Sequence, residues 1–294
     1  MHIDGVFSGG GIKGLALIGA CEVLEEKGYE FVRVAGTSAG SIIAAFVAAK
    51  YTSKDIAKML EELDLSTLLD ERKLLVPFPF AKWLFLYWRL GLYKGNALER
   101  WLEEKLAYKG IRTFADLPPN SLRVIASDIT NGVMVVLPDD LPKYGIDPGS
   151  FSVAKAIRMS CSLPFFFEPA TLGKKQNKSI IVDGGVLSNF PMWLFDKENV
   201  KKIRPVIGLK LSHKQSEHPK HMIKNAFHLF GAMFETMKDA HDSRYISRKH
   251  EKNIIFIPSE GVMSTEFTLT KEKQVEIIQM GRDYANKFLR SWTY

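Results

Sequence analysis

Ser38 stands in Gly36-Thr37-Ser38-Ala39-Gly40, the G-x-S-x-G spacing that turns a chain sharply between a strand and a helix. Glycines on either side let the serine hydroxyl project at a helix N-terminus, where it can act as a nucleophile; the plain alternative is a helix-capping serine in a tight turn. Attack on an ester carbonyl also needs donors for the negative charge that develops on oxygen. Gly9-Gly10-Gly11-Ile12-Lys13-Gly14 opens another helix with N–H groups that no side chain covers. The amides of Gly10 and Gly11, with Gly9 beside them, suit an oxyanion. Lys13 adds positive charge nearby, unless it lies exposed on the first helical turn.

The same glycines match G-x-G-x-x-G, the fingerprint of a dinucleotide site, which would make the chain a nucleotide-binding oxidoreductase. That reading requires an acidic residue closing the second strand to hold the ribose. Here the second strand closes on Gly36, so the cofactor reading loses. A base for Ser38 is offered by Asp183 in Asp183-Gly184-Gly185, an aspartate at a strand's carboxyl end on a glycine turn, although a turn-forming aspartate has the same look. Acting alone, its carboxyl must be raised above its ordinary range by burial. A histidine base from His213, His218 or His221 keeps the order found in other serine hydrolases, so dyad and triad both stand at this level. The histidines lack acidic or cysteine neighbours at ligand spacing, and neither a metal nor any other cofactor is expected.

These residues need a scaffold that brings their turns together. His2 to Phe7 and Phe31 to Ala35 read as strands, each followed by a glycine turn and a helix, Ile12 to Lys27 and Ser38 to Lys50. Side by side in a parallel sheet, both turns open at one edge. Further on, Ser53 is expected to cap a helix to Leu63, and Asn96 with Glu99 forms a capping box for a helix to Tyr108. Leu122–Ser127 and Val133–Leu137 read as strands joined by an Asn-Gly turn, with Pro138–Gly149 as loop. Ser152 caps a helix through Met159 that Pro164 must end. Ser179–Val182, Ile203–Leu211 and Asn253–Pro258 read as strands, and Lys271–Trp292 as a final helix. From Pro219 to about Lys249 the pattern is helical, with Ile223, Phe227, Phe230, Phe234 and Met237 on one stripe. Strands alternating with helices give an α/β fold, a mostly parallel sheet covered on both faces.

No repeat or linker divides the 294 residues, and a single domain is expected. Leu65–Lys94 departs from the pattern. It crowds aromatics without a strand period, and Leu74–Leu92 carries Pro77, Pro79, Lys82 and Arg89, which argues against a membrane span. Residues 65–95 read as an aromatic-rich insertion, either a lid that also touches membrane or ordinary buried structure. Cys21 and Cys161 are the two cysteines; both read as buried thiols and fit a reducing, cytosolic compartment. The N-terminus has no basic stretch followed by an apolar core, so no signal peptide is expected. The net charge of +7 is concentrated in 201–260. Such a surface favours anionic partners, or is simply a solvated basic face.

Taken together, Gly9–Gly14, Gly36–Gly40 and Asp183-Gly184-Gly185 resemble, in order and rough spacing, the motifs of the patatin-like phospholipase family. Asn189 and Pro191 resemble the family's continuation after the Asp-Gly-Gly turn, and Ser160 with Pro164 its serine-to-proline motif. The resemblance covers roughly residues 3–195, leaving 196–294 as a strand and helix extension. It implies a three-layer α/β/α fold and a Ser38–Asp183 dyad without a catalytic histidine. Oxyanion donors would come from the Gly9–Gly11 turn, supported by Lys13, Gly36, Gly40, Gly184 and Gly185. At Lys13 many members carry arginine; lysine keeps the charge and loses the bidentate fork. The implied activity is calcium-independent hydrolysis of phospholipids, lysophospholipids or neutral glycerides. The partner implied is a lipid substrate; with the basic charge and the cysteine usage, the expectation is a cytoplasmic protein in peripheral contact with an anionic membrane surface, and no nucleic acid.

Overall fold

The computed structural model describes residues 1–70, 86–174, 177–195, 203–212, 223, 226–246, 251–258 and 270–293. Strand β1 (His2–Phe7) is buried on both faces after its first residue, as a strand in the middle of a parallel sheet must be. On one side it pairs in parallel with β2 (Glu30–Thr37), on the other with β9 (Val206–Ser212), which pairs in parallel with β10 (Ile254–Pro258). Beyond β2 lies β4 (Leu122–Asp128), also parallel. The rest of the main sheet is antiparallel. β5 (Val133–Leu137) and β8 (Ser179–Asp183) both pair with β4, and β7 (Ala170–Leu172) pairs with β8. A second small sheet joins β3 (Gly91–Tyr93) to β6 (Phe165–Phe167). Helices cover both faces of the main sheet, giving the three-layer α/β/α architecture.

The register of β4 decides where the functional residues go. β5 runs along one edge of β4, from Val124 to Asp128. β2 and β8 share the other edge: β2 opposes residues 122–125, and β8, antiparallel, opposes 126–128. Thr37 therefore stands opposite Ile125 and Asp183 opposite Ala126. Two strands far apart in sequence meet end to end, carboxyl end against carboxyl end.

The main helices are α1 (Leu15–Glu26), α2 (Ala39–Ala48), α3 (Ser53–Glu62), α4 (Asn96–Tyr108), α5 (Val153–Ser160), α6 (Ala226–Tyr245) and α7 (Lys271–Ser291). Ser152 caps α5 as expected, accepting from the Lys155 amide. Two other expected caps are corrected. Thr52, not Ser53, caps α3 through a capping box with Asp55. Helix α4 has no cap from its own residues; Asp70 accepts from the amides of Gly95, Asn96 and Ala97 at 2.6, 3.0 and 3.1 Å. A carboxylate from outside the helix does the work assigned to Glu99. Ile12 lies inside a 3-10 turn (Gly11–Gly14) rather than opening α1, and a 3-10 turn at Leu141–Tyr144 interrupts the expected loop.

Of the apolar stripe, Phe230 and Phe234 of α6 line the cavity described below, Ile223 precedes the helix, and Ile223 and Met237 are exposed; the buried side chains among the described residues of α6 are Ala232, Lys238 and Asp242. Lys238 lies nine residues beyond Leu229, half a turn round an axis that advances about 100° per residue. The helix thus turns charged groups inward and shows Leu229, Met233 and Met237 to solvent. His213, His218, His221, most of the Leu74–Leu92 stretch and parts of the basic 201–260 stretch lie outside the described residues.

Candidate active site at the edge of the sheet

Ser38 follows β2 directly and precedes α2, with φ 51° and ψ −128°. A non-glycine residue held there is strained by on the order of 1–3 kcal/mol. The surroundings hold it: the Ser38 amide donates to the Ser160 hydroxyl at 2.8 Å, and its carbonyl accepts from the Ser41 hydroxyl at 2.6 Å. The flanking glycines are needed because backbones touch. A Cβ on Gly36 would stand 2.4 Å from the Gly40 carbonyl oxygen, and one on Gly40 would stand 2.4 Å from that of Phe7. That contact presses the elbow against the end of β1, where the other glycine turn begins.

Asp183 is buried beside Ser38 on the same cavity, and its carboxylate accepts from the Gly185 amide at 2.7 Å. Desolvation pushes its pKa up to about 6, against the opposing pull of the Ser38 hydroxyl, the Gly185 amide and Lys238. Its own amide donates to the Ser162 carbonyl at 2.8 Å. Ser162 is in turn bonded to the buried Arg158, whose guanidinium also donates to the carbonyls of Lys94 and Glu168 at 2.6 and 2.7 Å. Cys161 is buried beside the pair, and burial pushes its thiol well above the ordinary value, with Asp183 adding to the effect.

Ser38 and Asp183 line a cavity of about 430 Å³, within the range of small-molecule sites. Its wall is mostly apolar, with Ile42, Leu63, Leu98, Trp101, Phe166 and Phe234 among the contributors. Gly10 and Gly11 line it too. The Gly9 amide is already given to the Asn189 carbonyl at 3.2 Å, so Gly9 holds the turn in place. Lys13 is buried rather than exposed. It stands 3.8 Å from Glu235 of α6, and burial lowers its pKa against the opposing effect of that carboxylate. Asn189 donates its side-chain amide to Asp242 at 3.2 Å, while its Oδ1 is buried with no hydrogen-bond partner. A carboxylate can only accept, so Asp242 fixes which way that amide points.

The predicted residues Ser38, Asp183, Gly10 and Gly11 thus come together on one cavity, and Gly36, Gly40, Gly184 and Gly185 pack the turns that carry them. Sequence reasoning missed Cys161, Lys238 and the Arg158–Ser162 brace. Only Ser160 and Pro164 had signalled their segment.

An α/β/α protein with a serine elbow, a glycine turn and a buried aspartate at one sheet edge is the class so defined. The chain belongs to the patatin-like phospholipase family, whose profile matches residues 5–196. It is 58% identical, over the full length of both chains, to the uncharacterized protein YqhO of Bacillus subtilis. It is 27% identical to the probable lipid hydrolase 463L of Invertebrate iridescent virus 6, covering 75% of this chain and 74% of that one. Among solved structures, VipD of Legionella pneumophila superposes with a TM-score of 0.60 at 19% identity, covering 99% of this chain and 67% of that one.

Proposed function

We propose that this protein hydrolyses carboxylic esters of membrane lipids through Ser38 and Asp183. The observation that carries the reading is the placement, on one cavity, of a strained serine beside a buried aspartate whose pKa is about 6. Near neutral pH such a carboxylate is ionised and able to take a proton, which is what a general base requires. Asp183 receives the Ser38 proton as Oγ bonds to the ester carbonyl carbon. The carbonyl oxygen takes the negative charge and is held by the Gly10 and Gly11 amides. Collapse of this intermediate breaks the bond to the lipid alkoxide, which leaves with the proton from Asp183. Water deprotonated by the same carboxylate then adds to the acyl-enzyme, releasing the fatty acid and restoring Ser38.

The apolar wall of the cavity suits an acyl chain, and the family and the viral lipid hydrolase point to the same substrate class. We also read the exposed Leu229, Met233 and Met237 of α6 as a face that meets the lipid surface, because the same helix lines the cavity. The net charge of +7 favours an anionic one.

Labelling with a fluorophosphonate followed by peptide mapping tests the assignment: the tag is expected on Ser38. Ser38→Ala and Asp183→Asn should each lose at least about a thousandfold in turnover of a lipid ester. Substituting any one of the seven histidines should cost no more than a few-fold. A hundredfold loss in one of them would replace the dyad with a triad.

A further inference from the structure

The inward face of α6 carries more charge than a helix packed on a catalytic cavity needs for folding, and its pairing is incomplete. Glu235 faces Lys13 at 3.8 Å. Asp242 is in contact with the buried Lys210 and accepts from Asn189. Lys238 lies between these two in sequence, is only 8% exposed, and has no carboxylate within 4.0 Å among the described residues. Its ammonium lies 5.4 Å from the centre of the Phe234 ring, also a cavity residue. Lys238 is the one lysine or arginine among the described residues that line the cavity, where the acidic side chains are Asp183 and Glu235. It is also close enough to Asp183 to pull that carboxyl's pKa down.

A buried cation without a counter-ion is costly, and charges kept inside proteins are normally paired. Here the neighbouring charges on the helix are paired, and the unpaired one faces the space where substrate would sit. An incoming anion would recover much of the desolvation cost and gain a charge-assisted contact in a poorly solvated site. In a glycerophospholipid the phosphate lies on the carbon next to an ester-bearing one, so an anion subsite beside Ser38 has the right reach. Uncharged glycerides offer nothing to neutralise it.

We propose that Lys238 forms an anion subsite next to Ser38 that receives the phosphate of a glycerophospholipid and makes the enzyme prefer phosphate-bearing acyl glycerols to neutral ones. The proposal rests on the ester-hydrolase reading above, and the experiment separates the two. Wild type, Lys238→Met and Lys238→Arg are assayed on a lysophospholipid and on the monoacylglycerol with the same acyl chain. The ratio of the two kcat/KM values should fall at least tenfold in Lys238→Met and return to within a few-fold of wild type in Lys238→Arg. An equal fall on both substrates would assign Lys238 to the tuning of Asp183 or to the oxyanion, and would overturn the proposal. If wild type cleaves neither substrate, the hydrolase reading itself fails.

A second measurement needs no variant. Octyl phosphate, 1-O-octylglycerol and octanoate are compared, below their micellar concentrations, for protection of Ser38 from the fluorophosphonate. The phosphate should protect at concentrations at least tenfold lower than the other two. Protection by octanoate equal to that by the phosphate would make the subsite a seat for the fatty-acid product and would overturn the phosphate assignment.

Discussion

Asp183 is held in a place that suits its charge poorly, and this has two consequences of opposite sign. Burial raises its pKa to about 6, whereas in an unfolded chain an aspartate titrates near about 4. In the proposed role of base it would work only when ionised, so kcat/KM should rise with pH through about 6 and level off above about 7. For stability the sign reverses. A carboxyl whose folded pKa lies above its unfolded one favours folding most when both states are protonated, and that advantage is lost as pH climbs from about 4 through about 6. Two pKa units correspond to about 3 kcal/mol, an upper figure for what the ionised carboxylate costs the fold at neutral pH. Asp183→Asn keeps an acceptor for the Gly185 amide and never ionises. It should therefore be inactive, yet its melting temperature relative to wild type should climb between about pH 4 and about pH 7. Thermal unfolding of both proteins across that range is the check, and parallel curves would show that Asp183 is not held at a raised pKa.

At the scale of elements, the strongest constraint is the packing of α1 against α7. A Cβ on Gly281 would stand 1.9 Å from the Ala16 carbonyl oxygen, and one on Gly19 would stand 2.0 Å from that of Ile278. The two backbones can approach this closely only because both positions are glycine, and Arg282 with Glu22 ties the same pair. Gly281→Ala should lower stability by about 1–3 kcal/mol, although alanine is the better helix former by about 1 kcal/mol. Gly231 of α6 is the contrast, since a Cβ there meets nothing within 4 Å. Gly231→Ala should raise stability by up to about 1 kcal/mol. Denaturant unfolding of the two variants reads both effects, and equal signs would mean that helix propensity, not packing, governs these sites.

The same scale explains what the sequence disclosed. Ser38, Asp183 and the glycine turns were legible because each motif is a local strand-to-turn geometry with its own residue requirements. That the ends of β2 and β8 would meet was not, because it depends on both strands sharing one edge of β4. The cap that Asp70 supplies to α4 likewise comes from 25 residues away in the chain. On α6 the apolar stripe gave no sign that Met237 would face solvent or that Lys238 and Asp242 would be buried. The helix instead rotates to satisfy Lys13 and Lys210 through Glu235 and Asp242, and ion pairs across elements leave no periodic trace in one sequence.

For the whole molecule, the rotation of α6 joins two requirements that would otherwise compete. The proposed reaction calls for charge beside Ser38, and the proposed lipid substrate calls for apolar surface beside the entrance. One helix supplies both on opposite faces, Glu235 and Lys238 inward, Leu229, Met233 and Met237 outward. No described helix is long and apolar enough to cross a membrane, so contact with lipid through these elements would be made at this kind of surface. Burying an exposed leucine or methionine in the acyl boundary is worth about 1.5–3 kcal/mol each, and the electrostatic part of the attraction falls with added salt. Changing Leu229 and Met233 together to aspartate removes two apolar anchors and adds two charges of the sign that anionic vesicles repel. Cosedimentation with vesicles containing phosphatidylglycerol should then drop at least tenfold, and the ratio of vesicle to monomeric-ester turnover should drop with it. If vesicle binding is kept while that ratio is unchanged, the outward face of α6 is not where the protein meets lipid.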